Sequence, residues 1–175
     1  GDNAFASTKA GIAVGEVGEK VTVSGNIIHN SGSYGIEVTH GADETIVSNN
    51  SITSSGAMGI FATAVDGSGG LDNLVITGNN ITTTVTDGIF ISAALTNPLI
   101  AANLNTNISI LSNVVRGAAR DSIVCSAMLD FNVSNNTIHT TTTASGIRVI
   151  NSEEGSVSDN YITEVASRGV YLQGA

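Results

Sequence analysis

Apolar and polar positions alternate along this chain in short runs, and the runs repeat. The recurring unit is apolar-x-apolar, two small polar residues, asparagine, any residue, then isoleucine or valine. It reads VTVSGNII at 21–28, TIVSNNSI at 45–52, LVITGNNI at 74–81, ISILSNVV at 108–115, FNVSNNTI at 131–138 and GSVSDNYI at 155–162, with a truncated GDNAF at 1–5. The asparagines are Asn3, Asn26, Asn50, Asn79, Asn113, Asn136 and Asn160, spaced by 23, 24, 29, 34, 23 and 24 residues. A second marker follows each of them eight to ten residues later: Gly11-Ile12, Gly35-Ile36, Gly59-Ile60, Gly88-Ile89, Ser122-Ile123, Gly146-Ile147 and Gly169-Val170. Period-two runs bounded by Gly, Asn and Ser predict short strands and turns, and no copy carries helical spacing.

A unit of this length cannot bury its own apolar face, but stacked units share a continuous core. The prediction is an all-β, single-stranded, right-handed parallel β-helix (a solenoid) of about seven coils, forming one domain over 1–175. Neighbouring coils then sit about 4.8 Å apart, as parallel strands do. Val23, Val47, Ile76, Ile110, Val133 and Val157 form one inward column. Ile28, Ile52, Ile81, Val115, Ile138 and Ile162 form a second, and the residues after the Gly markers, Ile12 to Val170, a third. The recurrent asparagine is expected at a bend, bonded to its counterparts in the coils above and below. The Gly or Ser before isoleucine is expected to supply a tight corner.

Composition supports this reading and removes several functions. Charged residues make up 12% of the chain, against about 25% in a typical soluble domain. Gly, Ser, Thr, Asn, Val and Ile dominate, as many short strands and turns require. Only six Lys and Arg face a net charge of −9, so no basic stripe for nucleic acid exists and anionic membranes are repelled. The most apolar stretch, 88–104, is interrupted by Ser92, Thr96, Asn97, Pro98 and Asn103, so it cannot form a membrane-spanning helix. A lone Cys125 excludes an internal disulfide; it falls in an inward register and reads as core.

Regularity breaks in two consecutive coils. The distance from the Gly marker to the next asparagine is 15 in the first coils, then 20 after Gly59 and 25 after Gly88, then 14. Insertions are therefore expected near 63–73 and 92–107, side by side, as one wall of a lateral groove. Two residues after each Gly lies an outward column: Ala13, Glu37, Phe61, Phe90, Val124, Arg148, Tyr171. Phe61 and Phe90 are neighbours in it, either offering rings to sugar faces or covered by the insertions. The residue before each Gly forms another column: Tyr34, Met58, Asp87, Asp121, Ser145, Arg168. Asp87 and Asp121 are consecutive, so their carboxylates are expected about 5 Å apart. Such a pair serves as acid and base, or holds a cation. Arg116 and Arg120, in the coil of Asp121, either bind an acidic sugar or neutralise the pair. His29 and His139 share a column but lie four coils apart, so they cannot share a metal. The segment GSGGLDNLV at 67–75 resembles a single calcium-binding nonapeptide of the RTX type, but successive copies are lacking. Neither a resident metal nor another cofactor is expected, calcium being the one candidate.

The repeat as a whole resembles that of pectate-lyase-like parallel β-helix proteins: polysaccharide lyases, hydrolases and epimerases, NosD-like proteins and phage tailspikes. This resemblance spans essentially the whole chain and implies the fold, with carbohydrate as the ligand class. It does not imply a reaction, because one fold hosts many. The paired Asp and His of epimerases is missing. So are the Asp-Asp pair with downstream His and Arg-x-Lys of polygalacturonases, and Lys9 and Lys20 lie far from the insertions. The expected function is an extracellular, cell-surface or virion-associated module that recognises polysaccharide along its side without catalysis. The alternatives are an enzyme acting on acidic glycans through Asp87 and Asp121, and a purely structural or self-assembling stack. Both termini fall mid-repeat, which predicts flanking coils of a longer solenoid, or end-to-end contacts between copies.

Overall fold

A computed structural model describes residues 4–7, 9–15, 20–39, 42–64, 70–93 and 104–174. They form twenty strands and, among the described residues, no helix. The strands sort into three sheets of seven, seven and six, parallel throughout, each coil giving one strand to each sheet in turn. This is the right-handed parallel β-helix that the repeat predicts.

The three predicted apolar columns are the backbone register of the three sheets. Ile28, Ile52, Ile81, Val115, Ile138 and Ile162 pair in succession along the first sheet. Ile12 through Val170 do so along the second, and Val23 through Val157 along the third. A fourth inward column completes the core on the second sheet: Val14, Val38, Ala62, Ile91, Cys125, Val149 and Leu172. From the second coil to the sixth these side chains are almost wholly buried, each isoleucine contributing about 1.5–3 kcal/mol.

The asparagine ladder is continuous from Asn26 to Asn160. From Asn50 onward each Oδ1 accepts both the main-chain N–H and the Nδ2–H of the asparagine one coil earlier, as Asn79 does from Asn50 at 3.0 and 2.9 Å. The remaining amide hydrogen donates to a carbonyl of the preceding coil, Val47 in the case of Asn79, at 2.9 Å. The residue just before each ladder asparagine is left-handed, with φ between 54° and 67° for Gly25, Asn49, Gly78, Ser112, Asn135 and Asp159. The small polar pair in the motif is thus a conformational requirement: Gly, Asn and Asp reach that region most easily.

The glycines before isoleucine act differently from the expectation. Their conformation is ordinary, and what they provide is space. A Cβ on Gly59 would lie 2.4 Å from Ile81 Cγ2 and 2.7 Å from the Gly88 carbonyl. Neighbouring coils approach there too closely for a side chain.

Of the two insertions, 65–69 and 94–103 lie outside the described residues. Their flanks are part of the stack. Leu71 and Leu74 are buried, Leu71 N–H donates to Asn105 Oδ1 at 2.8 Å, and Asn105–Leu111 forms a seven-residue strand of the third sheet. The extra length therefore also widens that sheet.

Candidate functional site

The outer face of the second sheet, with the corner leading into it, collects most of the chemistry. Register places Ala13, Glu37, Phe61, Phe90, Val124, Arg148 and Tyr171 in one row. Main-chain bonds across the corner align the second row: Gly35 N–H to the Met58 carbonyl, Gly59 to Asp87, Gly88 to Asp121, Ser122 to Ser145 and Gly146 to Arg168.

Rings fill the upper half. Tyr34, from the corner row, stacks on Phe61 of the next coil with centroids 4.4 Å apart and planes at 27°. Phe61 and Phe90 follow at 5.9 Å and 35°. The tilt splays the second pair, and all three rings are half-buried. Val124 interrupts the row, 2% exposed, within a strand buried at all four positions.

Below it the row turns cationic. Arg168 lies over the Tyr171 ring at 4.5 Å and Arg148 over the same ring at 5.9 Å. Arg148 Nη2 also donates to Gln173 Oε1 at 3.4 Å. Arg120 Nε stands 3.9 Å from Asp87 Oδ1, and Arg148 Nη1 3.9 Å from Asp121 Oδ2.

Asp87 and Asp121 are consecutive in the corner row, as expected, but they lie inside the corner and not on its surface: 0% and 1% exposed. Each carboxylate caps the next coil. Asp87 Oδ1 accepts the Asp121 N–H at 3.0 Å, and Asp121 Oδ1 accepts the Ser145 N–H at 2.7 Å. Burial pushes the Asp87 carboxyl above its ordinary range; the Asp121 N–H and the Arg120 guanidinium pull it back. Asp87 Oδ2 has no hydrogen-bond partner. An acid–base pair must reach a substrate proton, and these two are sealed against main chain.

Arg116 is elsewhere. It is exposed on the first sheet, between Thr82 and His139, so the structure brings Phe61, Phe90, Asp87, Asp121 and Arg120 to one strip and leaves Arg116 off it. Tyr34, Arg148, Arg168 and Tyr171 belong to the strip as well. The signal for them was in the two columns: an aromatic or arginine at a corner position meets its counterpart in the next coil.

Cys125 and Met128 are core side chains, 0% exposed. His139 Nδ1 bonds to Thr163 Oγ1 at 2.7 Å. His29 shares its column four coils away, about 19 Å at strand spacing. In the nonapeptide-like segment, Asp72 Oδ1 accepts from Thr106 Oγ1 and Asn107 Nδ2.

A family model described as periplasmic copper-binding protein (NosD) matches residues 1–109. No curated protein sequence matches the chain. Among solved structures, the catalytic unit of a thermostable GH87 alpha-1,3-glucanase from Streptomyces thermodiastaticus strain HF3-3 is similar in fold. Its TM-score is 0.54 at 16% identity, covering 86% of this chain. The chain spans 35% of that glucanase unit. The Streptococcus pneumoniae surface protein and adhesin PfbA aligns with TM-score 0.39 and 10% identity over 89% of this chain and 67% of its own. Protein-bound copper requires converging imidazole, thiolate or thioether donors. Among the described residues no three His, Cys, Asp or Glu side chains converge, and the two histidines and Cys125 are dispersed. The described coils therefore do not fit a copper centre, and His40 lies outside them. On the match over residues 1–109 of 175, the chain belongs to the NosD family of parallel β-helix proteins.

Proposed function

We propose that this chain is a β-helix module working outside the cytoplasm, which recognises polysaccharide along the outer face of its second sheet and does not cleave it. One observation supports this above the others. A single lateral strip carries Tyr34, Phe61 and Phe90 followed by Arg120, Arg148, Arg168 and Tyr171, on a chain with only 4% aromatic residues and six cationic side chains. Aromatic rings with adjacent guanidinium donors suit sugar rings, which present C–H groups and hydroxyls together. The carboxylates that would act as acid and base are buried and hydrogen-bonded to main chain, which favours binding over cleavage.

The test is retention on a panel of immobilised polysaccharides, followed by Phe61→Ala and Phe90→Ala on each positive ligand. The reading requires at least about a tenfold loss of affinity, corresponding to 1.4 kcal/mol, with an unchanged circular dichroism spectrum. It also requires no release of reducing or unsaturated ends. Retention on none of the panel would leave the chain a structural stack, a role that the face-to-face packing of Tyr34 on Phe61 also suits.

A further inference from the structure

Resting on that lateral-face reading, we infer that the ligand is an acidic polysaccharide whose anionic groups seat on the guanidinium cluster Arg120, Arg148 and Arg168. The chain carries a net charge of −9, yet its arginines are all gathered between 116 and 168, and three of the four lie on the second sheet's outer row or the corner leading into it, in three successive coils. Against these three cations the corner sets two carboxylates, Asp87 and Asp121. Arg168 has no ion-pair partner among the described residues, and the one described contact of its side chain is the Tyr171 ring at 4.5 Å.

The two ion pairs do not use up the arginines. At 3.9 Å they lie beyond hydrogen-bond distance, so they hold the guanidinium groups in place without consuming N–H donors; Arg148 gives one to Gln173 Oε1 and keeps its Nε buried. One oxygen of each carboxylate, Oδ1, is already occupied by the Asp121 or Ser145 main-chain N–H. Arg120 remains half exposed and Arg148 about one-third exposed, 50% and 32% of the side chain. Tyr171 sits between Arg148 and Arg168 and restrains both, which lowers the entropy lost when an anion binds. Successive coils repeat about every 4.8 Å, close to the advance of one pyranose in an extended chain. A row of like charges at that interval is unfavourable by itself; a polymer bearing one anion per sugar or two relieves it.

A uronate carboxylate and a sulfate ester would satisfy the same donors, so polygalacturonate and dextran sulfate are tested beside neutral dextran, by affinity electrophoresis of the full chain. The inference expects retention by at least one of the two polyanions. That retention should fall tenfold or more in the triple variant Arg120→Gln, Arg148→Gln, Arg168→Gln, and fall steeply between 0.05 and 0.5 M salt, where screening lengths shrink to a few ångströms (on the order of 4 Å at the upper end). Arg116→Gln, off the strip, should retain wild-type binding, and melting temperatures identify any variant that fails to fold. Single Arg168→Gln, with no ion pair to break, should still lower retention at least threefold. Polyanion retention unmoved by the triple variant overturns the inference. So does retention of dextran alone, lost on Phe61→Ala, although the lateral-face reading then stands. Retention of none of the three overturns the anion inference and removes these polymers from that reading.

Discussion

Removing the side chain of Asn79 tests the ladder where it is most enclosed. Asn79 is 1% exposed. Its Oδ1 accepts two hydrogens from Asn50, and its Nδ2 serves Asn113 Oδ1 and the Val47 and Thr77 carbonyls. In Asn79→Ala the main-chain N–H of Asn50 has no substitute acceptor, a cost of about 1–3 kcal/mol for a buried orphan. The other bonds lost net about 1 kcal/mol each, but Asn50 Nδ2 keeps the Val23 carbonyl and Asn113 Oδ1 keeps the Asn79 N–H. The expected total is about 3–5 kcal/mol, a large share of a typical stability of about 5–15. Among the described residues, Asn26→Ala removes only donations to Asn50 Oδ1 and the Ser24 carbonyl from a half-buried position, and should cost about 1 kcal/mol. Asn79→Asp keeps the acceptor but faces Asn113 Oδ1 and the Val47 carbonyl with a buried charge, so it should cost at least as much as alanine. Urea unfolding followed by circular dichroism, read at constant m-value, gives the three differences. If Asn79→Ala and Asn26→Ala agree to about 0.5 kcal/mol, the scatter of ordinary surface substitutions, the ladder is not what holds these coils in register.

Three further outcomes follow from particular contacts. Asp87 has a folded-state pKa raised above 3.8 by burial, against the pull of the Asp121 N–H and of the charges on Arg120 and Arg148. Its stabilising contribution is therefore full below about pH 4 and declines as pH rises through the folded value. Asp87→Asn keeps the acceptor for the Asp121 N–H, so its stability relative to wild type should increase from pH 4 to 7 in urea midpoints; a constant difference contradicts the assignment. Gly59→Ala should lower stability by about 1–3 kcal/mol through overpacking against Ile81. Gly25→Ala should cost about 1–2 through its φ of +67° alone, and a thermal melt of each would reveal an inverted order. The Cys125 thiol is fully buried and its pKa is driven up by desolvation. It should therefore resist a disulfide reagent in buffer and react at the unfolding rate in urea; prompt native labelling refutes its placement.

Register was readable from the sequence because a parallel solenoid pairs each position with its counterpart one coil on. Once Asn26, Asn50 and Asn79 align, Ile28, Ile52 and Ile81 must align too, and the bonds between coils follow the same arithmetic. Direction was readable only inside strands, where side chains alternate. At corners alternation fails: Asn30, Thr83 and Gly117, each four residues before Tyr34, Asp87 and Asp121, adopt left-handed backbone and the chain turns out of the pleat. That is why the sequence correctly paired Asp87 with Asp121 but left them on the surface. The same limit applies to Tyr34, whose ring crosses from the corner row to cover Phe61 of the next coil. The role of the glycine before isoleucine was misread for a third reason: close approach between coils is a property of packing distance, and no single coil carries it.

The inward turn of the corner also bears on what this stack can do. Solvent-facing carboxylates on successive coils would repel one another, share a proton, and stand ready for acid–base work or a cation. Turned inward, each instead accepts a main-chain N–H of the next coil, and the arginines outside them hold the outer surface of the same corner. Negative charge is thus placed beneath and positive charge above, within one corner and three coils. A surface built in that order favours anions, and on the function proposed above it suits holding an acidic polymer better than cutting it. Exchanging the layers with Arg148→Asp should abolish polyanion retention more completely than Arg148→Gln, since it adds repulsion where the glutamine only removes attraction.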